Sequence, residues 1–87
     1  MPSSLRQTPR CERILARAEA LARHEGSGVL KVEDVMLAIL EDPHSVPTQV
    51  LARFVEPSTV MIALKDLMAS PGYKQSTRQI YRPDDSN

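Results

Sequence analysis

"VEDVMLAILED", residues 32–42, places six consecutive apolar residues between two acidic pairs, Glu33-Asp34 and Glu41-Asp42. A membrane span needs about 20 apolar residues, so this run is far too short to cross a bilayer. Met, Leu and Ala favour helix, only Val35 and Ile39 are β-branched, and no turn dipeptide flanks the run. The stretch therefore predicts a short helix that is apolar all round, which requires other helices to surround it. Glu33 and Asp34 fall in its first turn, where carboxylates interact favourably with unpaired N–H groups. Glu41 and Asp42 fall at the opposite end, where the dipole disfavours them, and are expected to hold the exit in water. Proline disfavours helical geometry in the residue before it, so Asp42-Pro43 ends the helix.

Working outward, Thr8-Pro9 reads as an N-cap and first helical residue. Cys11, Ile14, Leu15, Ala18 and Ala22 then recur at helical spacing, with Leu21 widening the stripe. This helix should end near His24, because Gly26 and Gly28 in "EGSG" supply left-handed exits. A third helix is expected from Ser45, with Pro47 in its first turn and Val46, Val50, Leu51 and Phe54 inward. Pro57 opens a fourth, burying Val60, Leu64, Leu67 and Met68, and "SPG" at 70–72 stops it. The last residues are polar and lack a helical stripe. The expected organisation is an all-α bundle of four short helices, with a flexible N-terminus at 1–7, a helical unit at 8–70 and a disordered tail at 71–87.

Eighty-seven residues make one small domain, which buries only roughly 60–65% of the surface its unfolded chain exposes. The single cysteine, Cys11, excludes an intrachain disulfide, and the first ten residues, "MPSSLRQTPR", have no apolar core for a secretory leader. A cytoplasmic location is the expectation. Eleven basic residues balance eleven acidic ones, which argues against nucleic acid and leaves no reason to expect a membrane partner. The balance is uneven along the chain: residues 1–31 carry six basic and three acidic side chains, and residues 32–56 carry one basic and five acidic.

The stretch from Thr8 to about Met68 resembles one repeat of the Clp amino-terminal domain, the four-helix module that precedes the ATPase rings of bacterial Clp unfoldases. Thr8, the pair Ile14-Leu15, Ala18 and Ala22, and Glu33 before an apolar helix agree with the family pattern in one register. The chain departs from it in having one repeat where two normally stand in tandem about a pseudo-twofold axis. Nothing resembles the G-x-x-x-x-G-K-[ST] phosphate loop. Val32 replaces a usual capping threonine, and Asp34 follows Glu33 where histidine is common. In domains of the ClpC type, the threonine opening the first helix and the glutamate opening the second help bind phosphorylated arginine. The resemblance thus implies Thr8 and Glu33 as ligand contacts, the hydroxyl toward phosphate and the carboxylate toward the guanidinium.

No catalytic or metal constellation is legible. Cys11 lies on the apolar stripe and predicts a small core residue. His24 and His44 fall at helix ends or loops and lack ligand-pair spacing. Arg10, Arg13 and Arg17 form a stripe interleaved by Glu12, which predicts a solvated face rather than a nucleic-acid patch. Met36 and Met61 each add apolar surface beside an inward stripe and suit an adaptable partner face. The expectation is a stand-alone, non-enzymatic protein-binding module without cofactor or metal, working in chaperone and proteolysis systems. Its partner would be a substrate, a phosphoarginine-marked protein, an adaptor or a Clp ATPase, and a homodimer would replace the missing sister repeat. A small helical DNA-binding regulator and a purely structural dimerisation unit are the alternatives.

Overall fold

A computed structural model describes residues 5–26 and 28–73. Four helices follow one another: α1 (Pro9–His24), α2 (Val32–Leu40), α3 (Val46–Leu51) and α4 (Pro57–Met68). No strand occurs among the described residues. The all-α class and the four helices match the expectation. Residues 71–73, in the stretch expected as tail, are helical. Residues 74–87, and residues 1–4 of the expected flexible N-terminus, lie outside the described residues.

Helix α1 begins as the Thr-Pro signal requires. Thr8 is extended, and its Oγ1 accepts a hydrogen bond from Cys11 N at 3.1 Å. The helix ends where Gly26 turns to φ 78°, a conformation that strains any residue with a Cβ; Gly28 follows at φ 68°. Ala18 and Ala22 are its buried residues. Small side chains at these positions let the neighbouring helix approach closely, toward the short end of the 8–10 Å interaxial range.

Helix α2 is the centre of the fold, packing against α1, α3 and α4. Leu37, Ala38 and Leu40 are buried, and the remainder of the apolar core among the described residues is Ala18, Ala22 and Met68. Of the apolar run 35–40, Leu37, Ala38 and Leu40 are buried and Val35 and Ile39 half-buried, whereas Met36 is exposed, so the run is covered on three sides and open on one rather than enclosed all round. Lys31 rather than residue 32 is the N-cap. Asp34 supplies the missing cap function from inside the helix: its Oδ2 accepts from Lys31 N at 3.1 Å, so one orphan donor is satisfied.

Helix α3 departs from its expected orientation. Thr48 is buried, whereas Val46, Val50 and Phe54 are exposed and Leu51 is only half-buried. Thr48 Oγ1 donates to Ile39 O at 2.7 Å, and Ser45 Oγ lies 2.7 Å from Thr48 Oγ1. These hydroxyls serve the Ile39 carbonyl in the last turn of α2, where no i+4 helical donor is present and Asp42 N also donates, at 3.0 Å. At 100° per residue, Val46 and Val50 lie opposite Thr48. Once Thr48 faces α2, the valines must face away.

In α4, Met68 is buried with Val60, Met61 and Leu64 half-buried, but Leu67 is exposed, contrary to expectation. Leu67 sits one residue, and so about 100°, from Met68 around the helix. A single flank, against α2, cannot cover both.

Candidate functional site

The acidic pairs that fence α2 have two different jobs. At the C-terminal end, Arg10 Nη1 lies 2.6 Å from Asp42 Oδ2. Arg17 grips Glu41 with two bonds, Nε to Oε1 at 2.7 Å and Nη2 to Oε2 at 3.1 Å. These pairs correct two expectations at once. Glu41 and Asp42 do not simply face water, and Arg10 and Arg17 are not a free solvated stripe: each carboxylate that the α2 dipole disfavours is matched by a guanidinium from α1. The hydrogen bond from Arg10, helped by the backbone N–H of His44, lowers the Asp42 pKa below its usual value. The hydrogen bond and charge of Glu41 raise that of Arg17.

At the N-terminal end, Asp34 is fully buried and Lys31 nearly so. Lys31 Nζ bonds Glu25 Oε1 at 3.0 Å and approaches Asp34 Oδ2 at 3.3 Å. Desolvation alone would lower the Lys31 pKa, but the Glu25 hydrogen bond and the charges of Asp34 and Glu25 outweigh it and the net shift is upward. Among the described residues Asp34 Oδ1 has no hydrogen-bond partner. Asp34, which follows Glu33 where histidine is common in the family pattern, is sealed inside the cap.

Glu33, beside it, is half-buried at the start of α2 and accepts a hydrogen bond from the Tyr73 hydroxyl. Thr8, the other residue implied by resemblance, is exposed and spends its oxygen on capping α1. The two are not neighbours. Lys31 touches Glu25 at the C-terminal end of α1, while Asp42 touches Arg10 near its start, so α2 runs back along α1. With α1 sixteen residues long, Thr8 and Glu33 stand at opposite ends of the pair, roughly 20 Å apart. Nothing in the sequence signalled Tyr73 as a companion of Glu33, since 40 residues separate them.

Of the expected partner face, Met36 is exposed, four residues after the more exposed Val32. Met61 is half-buried on the stripe shared with Leu64 and Met68. A second apolar row, unforeseen, runs along α3: Val46 is 71% exposed, Val50 47% and Phe54 82%. Past Leu51 the chain tightens into a turn, with Ala52 N to Thr48 O at 2.9 Å, Arg53 N to Val50 O at 3.1 Å and Phe54 N to Leu51 O at 2.9 Å, which keeps Phe54 wound close to the end of α3. The three side chains, spaced by four, therefore share one face.

Cys11 is exposed, not a core residue. It does lie on the α1 stripe, but α2 has nine residues against sixteen in α1. It is too short to cover the whole stripe. His24 and His44 are exposed. Among the described residues no group of three or more His, Cys, Asp or Glu side chains is placed to hold a metal ion, and no helix is long and apolar enough to cross a membrane.

The sequence model of the Clp repeat N-terminal domain family matches residues 1–54, well over half of the chain and the whole of α1 to α3. Neither the curated proteins nor the solved structures compared with the chain match it. The capped first helix, the close alanine contact and the central apolar helix are the features that the matched stretch contains. The chain belongs to the Clp repeat N-terminal domain family, whose members are protein-interaction modules.

Proposed function

We propose that this chain is a non-enzymatic binding module of cytoplasmic protein quality control, engaging a substrate segment, an adaptor or a Clp unfoldase through its exposed apolar faces. The carrying observation is the row Val46, Val50 and Phe54, the last being the chain's single phenylalanine. Aromatic and aliphatic side chains aligned on one helical face at the surface are the form in which apolar partner sites occur. Val32 and Met36 on α2 are a separate pair of exposed apolar side chains. A DNA-binding role is disfavoured because α3 carries no charged residue and two of the α1 arginines already hold carboxylates.

The finer reading is a phosphoarginine contact at Glu33. A carboxylate in the first turn of a helix suits the guanidinium, and N–H groups at a helix start suit phosphate. Thr8 stands at the other end of the α1–α2 pair, so a ligand held by both residues requires two copies. A twofold axis across the pair brings the Thr8 end of one copy to the Glu33 end of the other, giving two equivalent sites.

The decisive experiment is a ¹⁵N NMR titration of the full chain with an unfolded apolar peptide and, separately, with free phosphoarginine, alongside sedimentation equilibrium. Peptide shifts along residues 46–54 that disappear in Phe54→Asp support the module. No peptide shift at millimolar concentration removes it. A single half-site with one or two charge-assisted contacts gives a dissociation constant no better than about tens of micromolar. Monomer mass at hundreds of micromolar removes the composite site.

A further inference from the structure

The short turn after α4 carries a contact that joins the end of the described chain to the start of α2. Ser70 Oγ donates to Leu67 O at 2.6 Å and accepts from Tyr73 N at 3.2 Å. With Pro71 next, this is the serine-cap, proline-first pattern that starts a helix, and residues 71–73 are helical. The turn is therefore locally built. It projects a half-buried Tyr73 whose hydroxyl donates to Glu33 Oε2.

We propose that Tyr73 is an intramolecular competitor at Glu33, a strap whose phenol occupies the carboxylate that an arginine-bearing ligand would use. A guanidinium binds a carboxylate best through both oxygens at once, in one plane. The Tyr73 hydroxyl on Oε2 and the ring behind it block that approach. A guanidinium makes a charge-assisted bond stronger than the neutral phenol can offer, so the ligand displaces the strap, and displacement lowers its apparent affinity by the fraction of chains in the open state. Ser70 and Pro71 set that fraction, because they favour the turn before any contact with α2 forms. The inference rests on the reading of Glu33 as a ligand contact and adds to it the residue that regulates access.

The test uses the full chain and its Tyr73→Phe variant, which keeps the ring and removes the hydroxyl, with free phosphoarginine as probe in an NMR titration. Tyr73→Phe is expected to bind roughly ten-fold more tightly than the parent chain, the factor that one hydrogen bond to a charged group contributes. Equal affinities, with shifts at Glu33 in both, overturn the strap and leave the ligand site standing. No shifts in either chain at millimolar probe overturn the ligand site and the competition with it. A second measurement needs no ligand: in Glu33→Ala the Tyr73 ring resonances and the amides of Gly72 and Tyr73 should move toward open-chain values. Unmoved resonances overturn the contact itself.

Discussion

Arg17 lies across the carboxylate of Glu41 with two parallel hydrogen bonds of 2.7 and 3.1 Å, joining the middle of α1 to the C-cap of α2. Bidentate geometry is the arrangement in which an exposed ion pair has most effect. Arg17→Ala and Glu41→Ala should each lower stability, and the double variant should lose less than the sum of the two. The coupling should shrink in 1 M salt, where the screening length falls to about 3 Å. Urea unfolding of the four chains at low and high salt measures it; strict additivity at low salt would show the pair to be idle.

The small core makes its few members sensitive. Leu40, 5% exposed, is expected to cost about 2–5 kcal/mol on replacement by alanine. Ile39 is only half-buried, so Ile39→Ala should cost clearly less. Ala18 has no accessible surface, and Ala18→Leu, which pushes α2 away, should cost about 1–3 kcal/mol or more. Thermal melts followed by circular dichroism give the order, and an Ile39→Ala loss exceeding that of Leu40→Ala would contradict the burial pattern.

Thr48→Val keeps the shape of a buried side chain and removes the hydroxyl that donates to Ile39 O. Ser45 Oγ, 3.3 Å from the same oxygen, offers a longer substitute. Because Ile39 O keeps the Asp42 N–H at 3.0 Å, the loss should be about 0.5–1.5 kcal/mol, the range for one hydrogen bond. It should exceed that of Val50→Thr on the exposed face. A neutral Thr48→Val would mean that α3 is held by other means.

Stability should fall at both pH extremes for separate reasons. The Asp42 pKa is lowered in the folded chain by Arg10 and the His44 N–H, so its contribution is present above the ordinary aspartate pKa of about 3.9 and is lost as pH falls through the lower folded value. The Lys31 pKa is raised, so its contribution is present below the ordinary lysine value of about 10.4 and is lost as pH rises through the folded one. Asp42→Asn should flatten the acid limb without changing the alkaline one, and Lys31→Met the reverse. Urea midpoints across pH 2 to 11 test both, and an unchanged acid limb in Asp42→Asn would place the acid sensitivity elsewhere.

The sequence by itself determined what depends on neighbours in the chain. Thr8-Pro9, Ser45 before Pro47, the left-handed glycines at 26 and 28, and the Asp42-Pro43 stop fixed the helix limits, because capping and backbone geometry act over three or four residues. The six-residue apolar run placed α2 at the centre, since nothing but surrounding helices can satisfy it. Only the tertiary structure decided how the helices rotate and what their ends meet. Periodicity could not tell that a threonine, not two valines, would face inward on α3, because a carbonyl of α2 outcompetes apolar burial for the hydroxyl. Nor could spacing show that α2 stops short of Cys11, that Glu41 and Asp42 meet arginines 24 and 32 residues away, or that Tyr73 reaches Glu33. Such pairings depend on helix lengths and crossing directions, which no local stretch encodes. At the candidate site, the position of Glu33 in the first turn of α2 was legible, while its distance from Thr8 and its tyrosine partner came from the packing of α4 and the turn beyond it.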